Sequence, residues 1–203
     1  MAATPEGIMS SLSAIVAERP APLSGKSPRR TRPSPSMDID RAIAFSRYAQ
    51  RTLAAQPALA DWLAGRIDAP FDWVPPQRDI AAAADGGDAV ALARTLRQWR
   101  TRLMLHTIAR DLTGRADLAE VCAGVTTLAD VAIDAAVRLH HRGLAADYGE
   151  PVGAESSAPQ SLVVVGMGKL GGAELNVSSD VDLGSTPCRG CATARGRSRR
   201  ARA

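Results

Sequence analysis

The sequence predicts an α+β fold in which a helical region is followed by a short region of strands. Apolar residues recur at helical spacing through much of 37–147, whereas 148–160 is rich in glycine, proline and serine and is typical of a linker. The apolar run at 162–165, in which three of four residues are β-branched, is typical of a buried strand. We therefore expect a helical region at 37–147, a linker at 148–160 and the start of a strand-containing domain at 161–183.

Aspartate residues in capping positions mark where several helices should begin. Asp88 is expected to cap a helix that runs to about Leu112, and Asp117 a long helix that reaches about Ala146 and could divide near Gly124. Upstream, the pattern predicts a helix over 38–55, a short helix from 57 and a proline-containing linker over 68–76.

Both ends of the chain are basic, whereas the part between them is mildly acidic. Residues 1–36 carry five basic and two acidic residues (+3), and residues 184–203 carry six basic residues and no acidic one (+6). Residues 37–183 carry 14 basic and 19 acidic residues (−5), which argues against a nucleic-acid-binding surface there. Because neither end has the composition of a core, we expect disordered tails at 1–36 and 184–203.

The chain lacks the usual sequence marks of a membrane or secreted protein. No apolar run reaches the roughly 20 residues that a membrane helix requires. The first 20 residues lack the basic start of a signal peptide. We therefore expect a cytoplasmic protein with no membrane partner. Cys188 and Cys191 have the spacing of a zinc-binding pair, but a second pair of ligands does not follow them, so a zinc site is not indicated.

The stretch 162–183, LVVVGMGKLGGAELNVSSDVDL, carries the residues with the clearest chemical role. Because side chains alternate between the faces of a strand, Asp180 and Asp182 are expected to project from the same face. Two carboxylates so placed repel one another, but they suit Mg²⁺, which is usually bound by one or two carboxylates together with phosphates. We predict that Asp180 and Asp182 are catalytic residues and ligands of Mg²⁺.

A glycine-rich turn precedes this acidic pair and suits the binding of phosphate. Closely spaced glycines allow backbone N–H groups to approach phosphate oxygens. Lys169 can add a positive charge, and the hydroxyls of Ser178 and Ser179 can donate hydrogen bonds. The predicted nucleotide- and phosphate-binding residues are Gly166, Gly168, Lys169, Gly171, Gly172, Ser178 and Ser179.

Two common nucleotide-binding motifs match this turn less well. The spacing G-x-G-x-x-G begins at Gly166, but residues 173–176 leave little room for the long helix that follows in a dinucleotide-binding fold. A P-loop requires serine or threonine after its lysine, and Lys169 is followed by leucine.

The sequence GMGKLGGAELNVSSDVDL resembles the nucleotidyltransferase signature of the glutamine synthetase adenylyltransferase family, whose members are bifunctional adenylyl-transferring and adenylyl-removing enzymes. More generally, small residues followed by Asp-x-Asp are similar to the polymerase-β-like pattern. The segment ELN-x-SSD-x-DL resembles the first, adenylyl-removing domain of the family. The upstream sequence RTLRQWRTRLMLHTIARDLTGRADLAEV is also similar to the family. The resemblance covers about residues 80–183, and a start from about residue 38 stays open.

The resemblance implies a fold, a reaction and partners. The fold would be a helical region followed by the first strands of an incomplete polymerase-β-like nucleotidyltransferase domain. The reaction would be Mg²⁺-dependent phosphorolysis of the adenylyl-tyrosine on glutamine synthetase. ATP, ADP and phosphate would be substrates or products, because the full-length enzyme also adds AMP through a second domain. Glutamine synthetase is then the expected partner, and the PII signal protein an expected regulator of the full-length enzyme.

The sequence after Leu183 departs from the family pattern, which would continue with an apolar strand and a further carboxylate. Residues 184–203 are instead rich in arginine, alanine, glycine and serine. We hypothesise that the reading frame changes just after Leu183, which would leave an inactive fragment. The alternative is a helical interaction module at 38–147 with a basic tail that binds nucleic acid.

Overall fold

The structure is a computed structural model that describes residues 39–186 and 192–193, and it confirms an α+β fold. The helices are α1 (Ile39–Ala44), α2 (Arg47–Ala55), α3 (Ala58–Ala64), α4 (Val74–Asp85), α5 (Ala89–Leu112), α6 (Leu118–Tyr148) and α7 (Gly168–Gly171). The strands are β1 (Pro151–Val152), β2 (Val163–Gly166), β3 (Leu183–Thr186) and β4 (Ala192–Thr193). The expected tail at 1–36 and most of the one at 184–203 lie outside the described residues.

The two predicted aspartate caps of the long helices are confirmed. The carboxylate of Asp88 accepts a hydrogen bond from the backbone N–H of Val90 at 2.8 Å, and that of Asp117 accepts one from Glu120 at 2.8 Å. Each bond satisfies one of the N–H groups that the first turn of a helix leaves without a partner. Helix α6 continues through Gly124 without dividing.

Two of the expected helix boundaries were wrong. The helix expected over 38–55 is two helices, because Ser46 starts α2 by accepting a hydrogen bond from the Ala49 N–H at 3.2 Å. The linker expected over 68–76 ends early, since α4 begins at Val74. Pro75 and Pro76 lie in the first turn of α4. Proline lacks a backbone N–H, but an N–H in the first turn would have had no partner within the helix.

The helices pack around three clusters of buried side chains. Helix α5 contributes to all three, and its residues 103–107 are all buried, which is more than one helical turn. A helix buried on every side in this way lies at the centre of its region. One cluster contains Ala49, Leu59, Leu63, Ile67, Leu105 and Ala109; another contains Ile80, Ala84, Leu92, Ala135 and Leu139; the third contains Leu103, Met104 and Leu128.

A buried arginine joins α5 to α6 and to the loop after α3. The guanidinium of Arg110, only 4% exposed, donates two hydrogen bonds to the Glu120 carboxylate, at 2.6 and 3.0 Å. It also donates to the backbone carbonyls of Ile67, at 2.6 Å, and Arg115, at 3.1 Å. A buried cation is tolerated only when it is paired and hydrogen-bonded, and both conditions hold here.

Aromatic side chains of this loop pack against one another and against α5. The Phe71 ring lies 5.1 Å from the Trp73 ring and 5.5 Å from the His106 ring, both in edge-to-face arrangements. The Nε2 atom of His106 is 3.1 Å from the Arg66 carbonyl oxygen. Burial lowers the pKa of His106 below the ordinary value for histidine, so the ring is held neutral as part of the core.

The strands form two antiparallel pairs, β1 with β4 and β2 with β3. The expectation of a buried strand at 162–165 was wrong: the strand is β2, and Val163 and Val165 are 40% and 52% exposed. These two side chains stay exposed because no layer of described residues covers them. Two described pieces of the expected C-terminal tail, 184–186 and 192–193, are paired strands.

None of the helices within the described residues is long and apolar enough to cross a membrane.

We predict that Arg110→Met lowers the free energy of unfolding by about 3 kcal/mol, because it leaves the Ile67 carbonyl and the partly buried Glu120 carboxylate without their partner. The measurement is urea unfolding followed by far-UV circular dichroism. The matched control is Arg78→Met, which breaks the exposed pair with Asp79 and should cost less than about 1 kcal/mol. Equal losses in the two variants would contradict a structural role for Arg110.

Candidate functional site

The pairing of β2 with β3 brings the glycine turn and the acidic segment together. Gly166, the last residue of β2, is opposite Leu183, the first residue of β3. One step further, the backbone N–H of Met167 donates a hydrogen bond to the Asp182 carbonyl at 2.9 Å. Two segments that are about 15 residues apart in sequence therefore lie side by side.

Three of the four predicted glycines are required by the geometry of the turn. A Cβ atom on Gly166 would lie 2.7 Å from Leu170 Cγ, and one on Gly171 would lie 2.6 Å from the Gly166 carbonyl oxygen. Gly168 has φ of +53°, in the left-handed region that favours glycine. The nearest atom to a Cβ on Gly172 is 3.6 Å away, so steric crowding does not require glycine there.

Two leucines that we did not predict as site residues are buried, one in the turn and one just after it. Leu170 and Leu175 are each only 1% exposed, although the residues around them in the chain are exposed or polar. Leu170 lies directly against Gly166, which is why a side chain at that glycine would collide with it. Isolated leucines in a glycine-rich polar segment were the sequence signal for this burial.

Neither of the two predicted catalytic aspartates lies within a strand, so that part of the expectation was wrong, and Asp182 lies beside the turn. The strand begins at Leu183, because the chain beyond Gly166 enters α7 and no longer runs opposite the acidic segment. Asp180 and Asp182 are both exposed. A carboxylate oxygen of Asp182 lies 3.9 Å from the position of a Cβ on Gly168, next to the glycine turn.

The predicted serines are organised by Asn176, a residue that sequence reasoning missed. Its side-chain oxygen accepts hydrogen bonds from the backbone N–H of Ser178 and from the hydroxyls of Ser178 and Ser179, each at 3.0 Å. The Asn176 backbone N–H in turn donates to the Ser179 hydroxyl at 3.1 Å. An asparagine two and three residues before serines is a known turn-forming pattern, and that pattern was visible in the sequence.

The charges of Lys169 and Glu174 act on the pKa of a thiol in α6. Burial raises the pKa of the Cys122 thiol on α6, and the negative charge of Glu174 adds to this effect, whereas the positive charge of Lys169 opposes it. The Lys169 side chain is exposed.

The donor chemistry of the site fits Mg²⁺ as a two-carboxylate site. Among the ion pairs within the described residues, none involves Asp180 or Asp182, so both carboxylates are available. In the described part of the chain, no group of three or more His, Cys, Asp or Glu side chains could hold a metal ion. Mg²⁺ commonly uses one or two carboxylates and completes its shell with water and phosphate, which is compatible with this arrangement.

A cavity of about 220 Å³ lies elsewhere, in the helical region. Phe71, Trp73, His106 and Glu120 are among the residues that line it. No predicted site residue is part of its wall, so it is separate from the glycine turn.

Comparison with known proteins decides the family. The sequence pattern of the family described as glutamate-ammonia ligase adenylyltransferase matches residues 36–200, which is most of the chain. The chain belongs to this family. The match includes residues 184–200, so it gives no support to a change of reading frame after Leu183, which stays a hypothesis.

Several curated relatives are each named bifunctional glutamine synthetase adenylyltransferase/adenylyl-removing enzyme. The protein from Nitrosomonas europaea is 43% identical over 147 residues, covering 70% of this chain and 16% of the relative. The protein from Aromatoleum aromaticum is 41% identical over 161 residues, covering 75% and 17%. The protein from Pseudomonas aeruginosa is 50% identical over 103 residues, covering 51% and 10%. The chain thus spans about one sixth of the length of the first two relatives.

We predict that Gly171→Ala opens the glycine turn, because the new methyl group would meet the Gly166 carbonyl at 2.6 Å and backbone cannot easily move aside. Amide hydrogen exchange within 166–172 should become at least about tenfold faster. The control is Gly143→Ala in α6, where nothing lies within 4 Å of the new atom, and which should stabilise the helix by about 0.5–1 kcal/mol. Unchanged exchange in Gly171→Ala would contradict the tight packing of the turn.

Proposed function

We propose that this chain supplies the nucleotide-binding part of a nucleotidyltransferase that removes AMP from glutamine synthetase. Membership of the family supports the reaction class. The observation that carries the proposal is the pairing that sets Asp182 beside the glycine turn, through the hydrogen bond from Met167 to the Asp182 carbonyl. A glycine-rich turn that can bind phosphate, next to a carboxylate that can hold Mg²⁺, is an arrangement that recurs in enzymes of phosphoryl transfer.

The reaction we propose is phosphorolysis. An oxygen of inorganic phosphate attacks the adenylyl phosphorus, a new P–O bond forms, and the bond from that phosphorus to the tyrosine oxygen breaks. The products are ADP and unmodified tyrosine on glutamine synthetase. In a longer enzyme with a second domain, as in the bifunctional relatives, ATP would serve for the reverse modification.

The glycine turn, Lys169 and the two aspartates each have a defined task in this proposal. Backbone N–H groups of the glycine turn bind phosphate oxygens, and Lys169 adds a positive charge near them. Asp180 and Asp182 hold Mg²⁺ through their exposed carboxylates. When bound, Mg²⁺ supplies charge neutralisation for the transferred phosphoryl group. Gly166 and Gly171 keep the turn compact enough for its backbone to reach the phosphate.

Glutamine synthetase as protein partner, the PII signal protein as regulator of a longer enzyme and a cytoplasmic location stay predictions. The expectation that this chain is inactive by itself also stays a prediction. Binding of nucleotide is therefore a more direct test of the site than turnover is.

We predict that the chain binds ADP in the presence of MgCl₂, and that the double variant Asp180→Asn with Asp182→Asn loses this binding by at least about a hundredfold. The reason is that two carboxylates are removed from the metal, and each lost contact to a charged group is worth roughly 1.5–3 kcal/mol. Isothermal titration calorimetry with and without MgCl₂ provides the measurement.

The charge-matched control replaces two exposed aspartates of the helical region, Asp40→Asn with Asp61→Asn, and should leave ADP binding unchanged. Equal ADP affinity in the site double variant and the wild type would contradict the proposal. A salt-dependent affinity for DNA that survives both double variants would instead favour the helical module with a nucleic-acid-binding tail.

A further inference from the structure

The side-chain amide of Asn176 has a fixed orientation in the acidic segment. One of its three hydrogen-bond partners is the backbone N–H of Ser178, which can only donate. The atom that accepts this bond must therefore be the side-chain oxygen, and the side-chain NH₂ group must be at the other position. The hydroxyls of Ser178 and Ser179 donate to the same oxygen and reinforce this orientation.

The NH₂ group of Asn176 is consequently a free donor. It carries two N–H bonds, and within residues 39–186 no acceptor is hydrogen-bonded to it. It is also absent from the buried side-chain atoms that lack a partner, which are Arg115 Nη1, Thr126 Oγ1 and Arg138 Nε in the described part of the chain. Asn176 itself is half-buried, so its donors are fixed in direction and still reachable from solvent.

The hydroxyls of Ser178 and Ser179, unlike the Asn176 NH₂ group, are not free to donate to a ligand. A hydroxyl has a single hydrogen, and in both serines it is directed at the Asn176 oxygen. A phosphate group at neutral pH offers acceptors and needs donors. The two hydroxyls cannot donate to a phosphate without first breaking their bonds to Asn176, whereas the NH₂ group can donate directly.

We infer that the side-chain NH₂ group of Asn176 is the donor that this segment offers to a phosphate oxygen, and that Ser178 and Ser179 position it. The inference rests on the proposed function, since it assigns a further binding residue to the same site. The ligand is a phosphate group, carried either by a nucleotide or by inorganic phosphate. Asn176 thus binds the ligand, and the two serines are positioning residues.

The test compares three forms of the full chain. Asn176→Asp keeps an oxygen that can accept all three hydrogen bonds but has no N–H to donate. Ser178→Ala removes one hydroxyl and leaves the NH₂ group and the bond from the Ser178 backbone N–H in place. ADP and inorganic phosphate, each with MgCl₂, are titrated separately. Titrations at 0.5 M NaCl screen the repulsion between a new carboxylate and phosphate, so that the loss of the donor dominates.

The expected result is that Asn176→Asp binds ADP about tenfold more weakly at 0.5 M NaCl, the effect of one hydrogen bond to a charged group. Ser178→Ala should bind ADP about threefold more weakly, a smaller loss, because it removes one hydroxyl that positions the NH₂ group and leaves the donor itself in place. In ¹⁵N spectra of the wild type, the side-chain NH₂ signals of Asn176 should shift on adding ADP or phosphate. A shift with ADP alone identifies a nucleotide phosphate as the ligand, and a shift with both identifies phosphate in general.

Two outcomes would overturn the inference and separate it from the proposed function. If the wild type binds ADP while its Asn176 NH₂ signals stay in place and Asn176→Asp binds equally well, the proposed function stands and the role of Asn176 fails. If Ser178→Ala loses as much ADP affinity as Asn176→Asp does, the inference also fails, because the serine hydroxyls would then be the donors to the ligand. If the wild type binds neither ADP nor phosphate, the proposed function fails, and the inference fails with it.

Discussion

The candidate site depends on one short antiparallel ladder, the four residue pairs between β2 and β3. This ladder sets the start of the glycine turn against the start of β3, and the Met167–Asp182 hydrogen bond extends it toward the acidic segment. Without this ladder, the glycine turn and the segment that carries Asp180 and Asp182 would be two separate loops. A two-stranded ribbon is marginal by itself. The burial of Leu170 and Leu175, each 1% exposed, shows that packing beyond the two strands supports it.

The shape of the candidate site depends on positions without a side chain, the glycines, as much as on the side chains that are present. The turn is compact because glycine stands where any Cβ would meet Leu170 or the Gly166 carbonyl. The acidic segment is ordered for a different reason, since the Asn176 oxygen gathers three donors from the two residues that precede Asp180. The helical region is held separately, by apolar clusters around α5 and by the buried Arg110.

Much of this arrangement could be predicted from the sequence, because it follows from local rules. Asp88 and Asp117 cap helices as expected, since capping depends only on neighbouring residues. The glycine turn and the nearby aspartates were also predicted from the sequence. The errors arose where the outcome depends on distant residues. Burial of β2 requires a covering layer, and the strand state of Asp180 and Asp182 requires a partner strand, neither of which sequence periodicity reports.

The most direct test of the shared site uses Mn²⁺, which accepts the same oxygen ligands as Mg²⁺ and broadens nearby NMR signals. Mn²⁺ is titrated into ¹⁵N-labelled protein, and the backbone amide signals are followed. If the β2–β3 ladder joins the glycine turn and the acidic segment into one site, the amide signals of 166–172 and of 178–183 should broaden at the same Mn²⁺ concentration. The amide signals of 58–64 should stay sharp. Broadening confined to one of the two site segments, or scattered over the helical region, would contradict the account.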